Sequence, residues 1–195
     1  MASNQVSVER IGGWIDDSLR AIGGLKQERE ALGRIGAELV GALKSGGKVL
    51  TAGNGGSAAE ALHMAEEFVG RFKSDRPPLP AIALVADPTA LTCIGNDFGY
   101  DEIFKRQVEA LGRPGDMLFL FSTSGNSRNV LLALDAAERK GLKTVCLLGR
   151  EGGLLAGRGT HEIIIRSREA ARIQEAHQVN MHVLLDIVED EFGEK

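Results

Sequence analysis

The chain has 195 residues, 43% hydrophobic and 26% charged, with a formal net charge of −4 and a pI near 5.6. That is enough apolar material for one domain, and the acidic balance argues against a general nucleic-acid binder, which carries a basic face. No apolar run approaches the ~20 residues needed to cross a bilayer, and the opening "MASNQVSVERIGGWIDDSLR" has no basic segment followed by an apolar stretch. The expectation is a cytoplasmic protein with neither nucleic acid nor membrane as partner. Cys93 and Cys146 stand in apolar, strand-like contexts without CxxC spacing, which predicts two buried reduced thiols and no metal-thiolate site.

Trp14, Ile15, Leu19 and Ile22 recur at helical spacing, as do Leu32, Ile35, Leu39 and Leu43, and Gly46 and Gly47 end the second helix. The pattern then alternates. A strand is predicted over 48–53, a helix over 61–72, a strand over 81–86 and a helix over 100–111. They are followed by a strand over 116–122, a helix over 129–141, strands over 143–149 and 162–166, and a long helix from about 170 to 192. Nearly continuous apolar strands such as "MLFLF" and "TVCLL" belong to a parallel sheet buried on both faces. The predicted fold is α/β: a doubly wound parallel sheet of about five strands over 47–195, preceded by a helical segment over 1–46, all in one domain. The leading helices carry more apolar surface than one sheet needs, so they either pack against a second subunit or complete the core; a homo-oligomer is the expectation.

Two strand-to-helix turns carry unusual chemistry. In "AGNGGSAAEA", Gly53, Gly55 and Gly56 let the backbone approach a ligand and Ser57 opens a helix. In "STSGNS", Gly125 permits a sharp turn and Ser127 is a natural N-cap. Backbone N–H groups at a helix start, with the helix dipole behind them, suit a phosphate, and Ser122, Thr123, Ser124 and Ser127 offer hydroxyls to its oxygens. Neither loop contains a lysine or matches G-x-x-x-x-G-K-[ST], which favours a small monophosphate over ATP or NAD. Each loop by itself is equally compatible with an ordinary capped turn.

On the following helix His63 and Glu67 are four apart and share a face. On the last helix Gln174 and His182 are eight apart, slightly over two turns. Spacing alone leaves both sets readable as ordinary helix residues.

The ordered set "GNGGSAAEALHMAEEFVGRF", "GNDFGYDEIFKRQVEALGRPGD", "STSGNSRNV" and "RIQEAHQVNMH" resembles the phosphoheptose isomerases, a branch of the sugar isomerase (SIS) domain family, from about Lys48 to His182. The resemblance implies an SIS-type αβα sandwich, a zinc cofactor and a homotetramer. It implies metal ligands at His63, Glu67, Gln174 and His182, with Glu67 and His182 also catalytic. The implied sugar-phosphate positions are Asn54, Gly55, Gly56, Ser57, Glu67, Asn96, Asp97, Ser122, Thr123, Ser124, Ser127 and Gln174. Some members carry an acidic residue just before Arg-Ile-Gln, where this chain has Ala171.

The implied reaction is aldose–ketose isomerisation of sedoheptulose 7-phosphate to D-glycero-D-manno-heptose 7-phosphate, the first step towards a nucleotide-activated heptose. Glu67 would move the carbon-bound proton and His182 would act at the sugar oxygens, although a carboxylate held by zinc is a poorer base. Three rival readings share the fold: an isomerase of another phosphosugar, a non-catalytic adaptor that binds the replication initiator, and a sugar-phosphate-sensing regulator.

Overall fold

The computed structural model describes residues 7–193; the first six residues of the N-terminal stretch read above lie outside them. Helix α1 (Val8–Gly24) starts at Ser7, whose hydroxyl accepts from the Arg10 N–H, and passes through a 3₁₀ turn (Leu25–Glu28) into α2 (Arg29–Lys44). None of the α1 residues is buried: Val8, Ile11, Trp14, Ile15 and Leu19 stand exposed along it. Helix α2 instead buries Leu32, Ile35, Leu39 and Leu43, the stripe its spacing predicts.

Five strands, β1 (Val49–Gly53), β2 (Ala81–Ala83), β3 (Met117–Ser122), β4 (Lys143–Gly149) and β5 (His161–Ile165), form one parallel sheet in the order β2-β1-β3-β4-β5. Register aligns Leu50 with Leu118 and Phe119 with Val145. The connecting helices are α3 (Gly56–Val69), α4 (Pro88–Phe98), α5 (Lys105–Leu111) and α6 (Arg128–Arg139), and α7 (Ala170–Phe192) closes the fold. Strands β1, β3 and β4 separate two cores. On one face α2, α3 and α7 bury Leu39, Met64, Phe68, Phe119 and Leu184; on the other, α5, α6 and the segment before α5 bury Phe104, Val108, Leu120 and Leu134. Residues alternate between the two cores along β3, which is why that strand reads as unbroken apolar sequence. The expected doubly wound sandwich is therefore what the chain forms.

Three local expectations are corrected. Strand β2 stops at Ala83 instead of 86, because the Ala86 N–H turns back onto the Ala83 carbonyl (3.0 Å). Asp87 then caps α4 through the N–H groups of Thr89 and Ala90 (2.8 and 3.0 Å), with Pro88 at the first helical position. The helix expected over 100–111 is broken into a 3₁₀ turn (Tyr100–Glu102) and α5, with Ile103 and Phe104 between them buried in the second core. Finally, only Cys146 is a buried thiol: it sits in β4, and burial, seconded by Glu162, pushes its pKa up to about 12. Cys93 lies on α4, which buries no residue, and is exposed.

Candidate active site

Strands β1 and β3 are neighbours, yet the chain leaves β1 for α3 on one face and β3 for α6 on the other. Such a reversal opens a crevice at the carboxyl ends of the strands, and both hydroxyl- and glycine-rich loops lie there. Asn54, Ser57, Ser122, Thr123, Ser124 and Ser127, with Phe121 beneath, line one small cavity of about 50 Å³. No cationic side chain is among them, so an anion placed here would be held by hydroxyls, amides and the N-terminal ends of α3 and α6.

The loops are fixed from within. Gly125 donates its N–H to the Ser122 hydroxyl (3.0 Å), and Asn126 donates to that of Ser124 (3.2 Å). Gly125 has φ +63°, and a Cβ there would stand 1.8 Å from the Gly152 carbonyl oxygen, so the turn accepts only glycine. Ser127 occupies the N-cap position of α6, but its side chain makes no capping hydrogen bond. The cap expected of it is absent, which leaves its hydroxyl for the cavity.

Asn54 is held by Asn129 of α6 in a reciprocal amide pair, both bonds at 2.9 Å, and its carbonyl oxygen also accepts from the Tyr100 hydroxyl (2.9 Å). Its side chain thus ties the two loops together. Asn129, the other half of this clamp, was not singled out from sequence. Beyond Asn54 a second opening of about 220 Å³ is walled by Leu62, Val85, Leu91 and Phe104, too apolar for a phosphate. A groove of about 380 Å³ between α1 and the 166–172 segment contains none of the candidate residues.

Along α3, one face carries His63 and Glu67, with the imidazole Nε2 3.1 Å from Glu67 Oε1. Helix α7 packs beside α3 on the same face of the sheet and brings His182 edge-on to His63, ring centroids 5.3 Å apart, and stacked on Phe72 at 5.9 Å. One donor atom from each of His63, Glu67 and His182 lies within 4.8 Å of the others. Two imidazole nitrogens and a carboxylate oxygen are a zinc-type donor set that leaves further coordination positions free. Burial first, and the neighbouring His63 second, hold the His182 pKa below its ordinary value, against the pull of Glu67 and Asp186. The ring is therefore neutral at pH 7, as a metal ligand or proton acceptor must be.

The remaining candidates fall differently. The Gln174 amide lies against Gly56, where a Cβ would meet its Nε2 at 2.3 Å, at the loop end of α3. Gln178, one turn further along α7, touches the cluster: its Nε2 lies 2.9 Å from His63 Nδ1. Sequence reasoning missed it, although 174, 178 and 182 share i, i+4 spacing. Asn96 and Asp97 are exposed at the end of α4, where the Asn96 amide donates to Asp97 (2.7 Å), and neither lines the serine-walled cavity.

The SIS domain family model matches residues 13–149. The chain is 48% identical over 158 residues to a phosphoheptose isomerase of Pectobacterium atrosepticum, spanning 80% of this chain and 81% of that one. It is 50% identical over 151 residues to one of Vibrio cholerae, 77% and 78% of the two chains. Among solved structures, phosphoheptose isomerase GmhA from Neisseria gonorrhoeae superposes with a TM-score of 0.86 at 38% identity, over 93% of this chain and 98% of that one. A phosphoheptose isomerase from Francisella tularensis gives 0.90 at 35%, over 95% and 100%. With the serine-walled cavity at the start of α3 and the His63–Glu67–His182 cluster further along it, these likenesses place the chain in the SIS domain family, among the phosphoheptose isomerases.

Proposed function

We propose that the chain is an aldose–ketose isomerase that converts sedoheptulose 7-phosphate to D-glycero-D-manno-heptose 7-phosphate with zinc as cofactor. The observation that carries this reading is the layout of α3. It begins beside the serine-walled cavity and presents His63 about 9 Å further along its axis, six residues at 1.5 Å each. A phosphate in the cavity leaves the other end of an extended sugar beside His63, Glu67 and His182.

Moving the carbonyl between C1 and C2 requires removing a carbon-bound proton and returning one to the neighbouring carbon, through an enediol. Glu67 is the base that moves this proton. His182 is assigned to proton exchange at the sugar oxygens through the ring N–H that the cation would leave free. His63, Glu67 and His182 would hold the zinc, which would supply a Lewis acid for the carbonyl oxygen. Gln174 is assigned to the substrate side of the pocket and, as the family resemblance implies, to the metal. Glu67 is assigned both to the cation and to the proton, and a metal-held carboxylate would be the weaker base. The phosphate is held by Ser122, Thr123, Ser124 and Ser127 together with the N–H groups of Gly55 and Gly56, while Asn54 keeps the two loops in register. Asn96 and Asp97 complete the sugar site.

We read the whole chain as one SIS domain that works in the cytoplasm as a homotetramer. Support for association is the exposed stripe of α1, where Ile11, Trp14, Ile15 and Leu19 are 44–62% exposed in the single chain. The metal-type cluster favours an enzyme over an adaptor, which has no use for it.

The test is incubation of the zinc-loaded protein with sedoheptulose 7-phosphate, with pentose and hexose phosphates in parallel, followed by NMR of the products. Appearance of the seven-carbon aldose phosphate is expected. Turnover confined to a shorter sugar, or none, would refute the assignment.

A further inference from the structure

We infer that Gln178 is a positioning residue that selects which ring nitrogen of His63 faces the metal cluster. The inference rests on the zinc reading above and assigns a task to a side chain outside the proposed ligand set. Two observations motivate it. Gln178 Nε2 lies 2.9 Å from His63 Nδ1, and Gln178 Oε1 is buried with no hydrogen-bond partner.

A neutral imidazole carries one N–H and one lone pair, so a partner at Nδ1 dictates the state of Nε2. When the amide NH₂ donates to Nδ1, the ring proton sits on Nε2, which donates to Glu67 Oε1 at 3.1 Å. In that state Nε2 has no lone pair to offer a cation, and Glu67 is occupied by the same bond. Turning the amide half a revolution presents the unpartnered Oε1 to Nδ1. The ring proton then resides on Nδ1 and donates to Oε1. Nε2 loses its proton, and both its lone pair and the Glu67 carboxylate become available. The number of protons on the ring is the same in both states. An amide is a neutral side chain that can donate in one state and accept in the other, so Gln178 serves the metal-free and the metal-holding arrangements alike. A partner on the far nitrogen is how metal-binding histidines are generally oriented.

The experiment pairs two substitutions with two readouts that do not depend on turnover. Zinc affinity is measured by titration against a chromophoric chelator, and the His63 tautomer by ¹⁵N chemical shifts of the ring. Gln178→Glu, a carboxylate that only accepts, is expected to hold the proton on Nδ1 even without metal and to bind zinc at least as tightly as the unaltered chain. Gln178→Leu removes the partner and is expected to bind zinc about 10–100-fold more weakly, with an unchanged thermal midpoint. Zinc affinity of Gln178→Leu within about twofold of the unaltered chain would overturn the inference while sparing the zinc reading. So would metal-free Gln178→Glu with the proton still on Nε2. No zinc binding by the unaltered chain would remove both together.

Discussion

The Arg76 guanidinium donates to the backbone carbonyl of Glu67 at 2.7 Å and to that of Phe68 at 3.1 Å. It thereby occupies carbonyls in the last turn of α3 that a helix end otherwise leaves open. Its Nε pairs with Glu189 of α7 (3.1 Å), which also accepts from the hydroxyl and N–H of Ser74. Both side chains are buried, Arg76 at 0% and Glu189 at 9% exposure. One cation thus fixes the helix that carries His63 and Glu67 to the helix that carries His182. Arg76→Met takes the cation from Glu189, which keeps only its Ser74 hydrogen bonds, and the guanidinium donors from two carbonyls, and should cost about 3–5 kcal/mol of stability, the usual scale for breaking a buried pair. Urea denaturation measures it; a loss below about 1 kcal/mol would mean that the pair is no more than an exposed ion pair in effect.

The same pair sets an acid limb to stability. Burial works against the Glu189 charge, but the hydrogen bonds from Ser74 and Arg76 outweigh it and hold the carboxyl below its ordinary value of 4.5. A carboxyl with a depressed folded pKa stabilises the fold fully above the unfolded value and loses that contribution as pH falls through the folded one. Stability should therefore be flat with respect to this group above about pH 5 and fall below about pH 4.5. Thermal midpoints between pH 3 and 6 test this: Glu189→Gln should start lower and slope less, and an equal slope would assign the acid limb to other carboxylates.

How much of this was visible in the sequence depends on how locally each feature is determined. Strands β3 and β4 were plain because burial on both faces demands unbroken apolar runs, and the two loops were plain because glycines and hydroxyls in a strand-to-helix turn have few other uses. Helix α4 escaped because it buries no residue and so shows no apolar stripe. Its start was nonetheless written in Asp87-Pro88, an N-cap followed by the imino acid suited to the first turn. Cys93 was misjudged for the same reason, since an apolar neighbourhood in sequence is not a buried one in space. Asn129, Arg76 and Gln178 act through the partners named above, eight to 115 residues away. Nothing local marks such residues; their work follows from the face that α7 turns towards α3 and from the meeting of the two loops at the sheet's reversal.

The phosphate loop should separate binding from architecture. Ser124→Ala removes one hydroxyl from the cavity wall and an internal bond from Asn126 (3.2 Å). It is expected to raise KM about tenfold with little change in kcat, since the phosphate is bound alike in ground and transition states. Gly125→Ala should do far more. The new Cβ would meet the Gly152 carbonyl oxygen in a backbone conformation unfavourable to alanine, so both loops must move and stability should fall by more than about 1 kcal/mol, the ordinary scale for backbone strain. Steady-state kinetics and thermal melts on the two variants check this; an unchanged KM for Ser124→Ala would take the phosphate out of the loop.

Glu67 and His182 are distinguishable by pairing turnover with metal content. Glu67→Gln keeps the volume and removes the base, so kcat should fall by at least ~10²-fold, the usual scale for an acid–base group. His182→Gln should fall by a comparable factor and also bind zinc more weakly, because an imidazole donor is lost from the set with His63 and Glu67. The pH profile carries the sign. His182 titrates below its ordinary 6.5 because burial and His63 disfavour its charge, so the neutral ring persists below that pH and protons compete with zinc only further into acid. The acid limb of kcat/KM should accordingly lie below pH 6.5 in the unaltered chain. Metal analysis on the same samples decides the division of labour. Loss of turnover by Glu67→Gln even when zinc is supplied to saturation is the expected result for a proton-transfer base, whereas activity near that of the unaltered chain would exclude Glu67 from the chemistry.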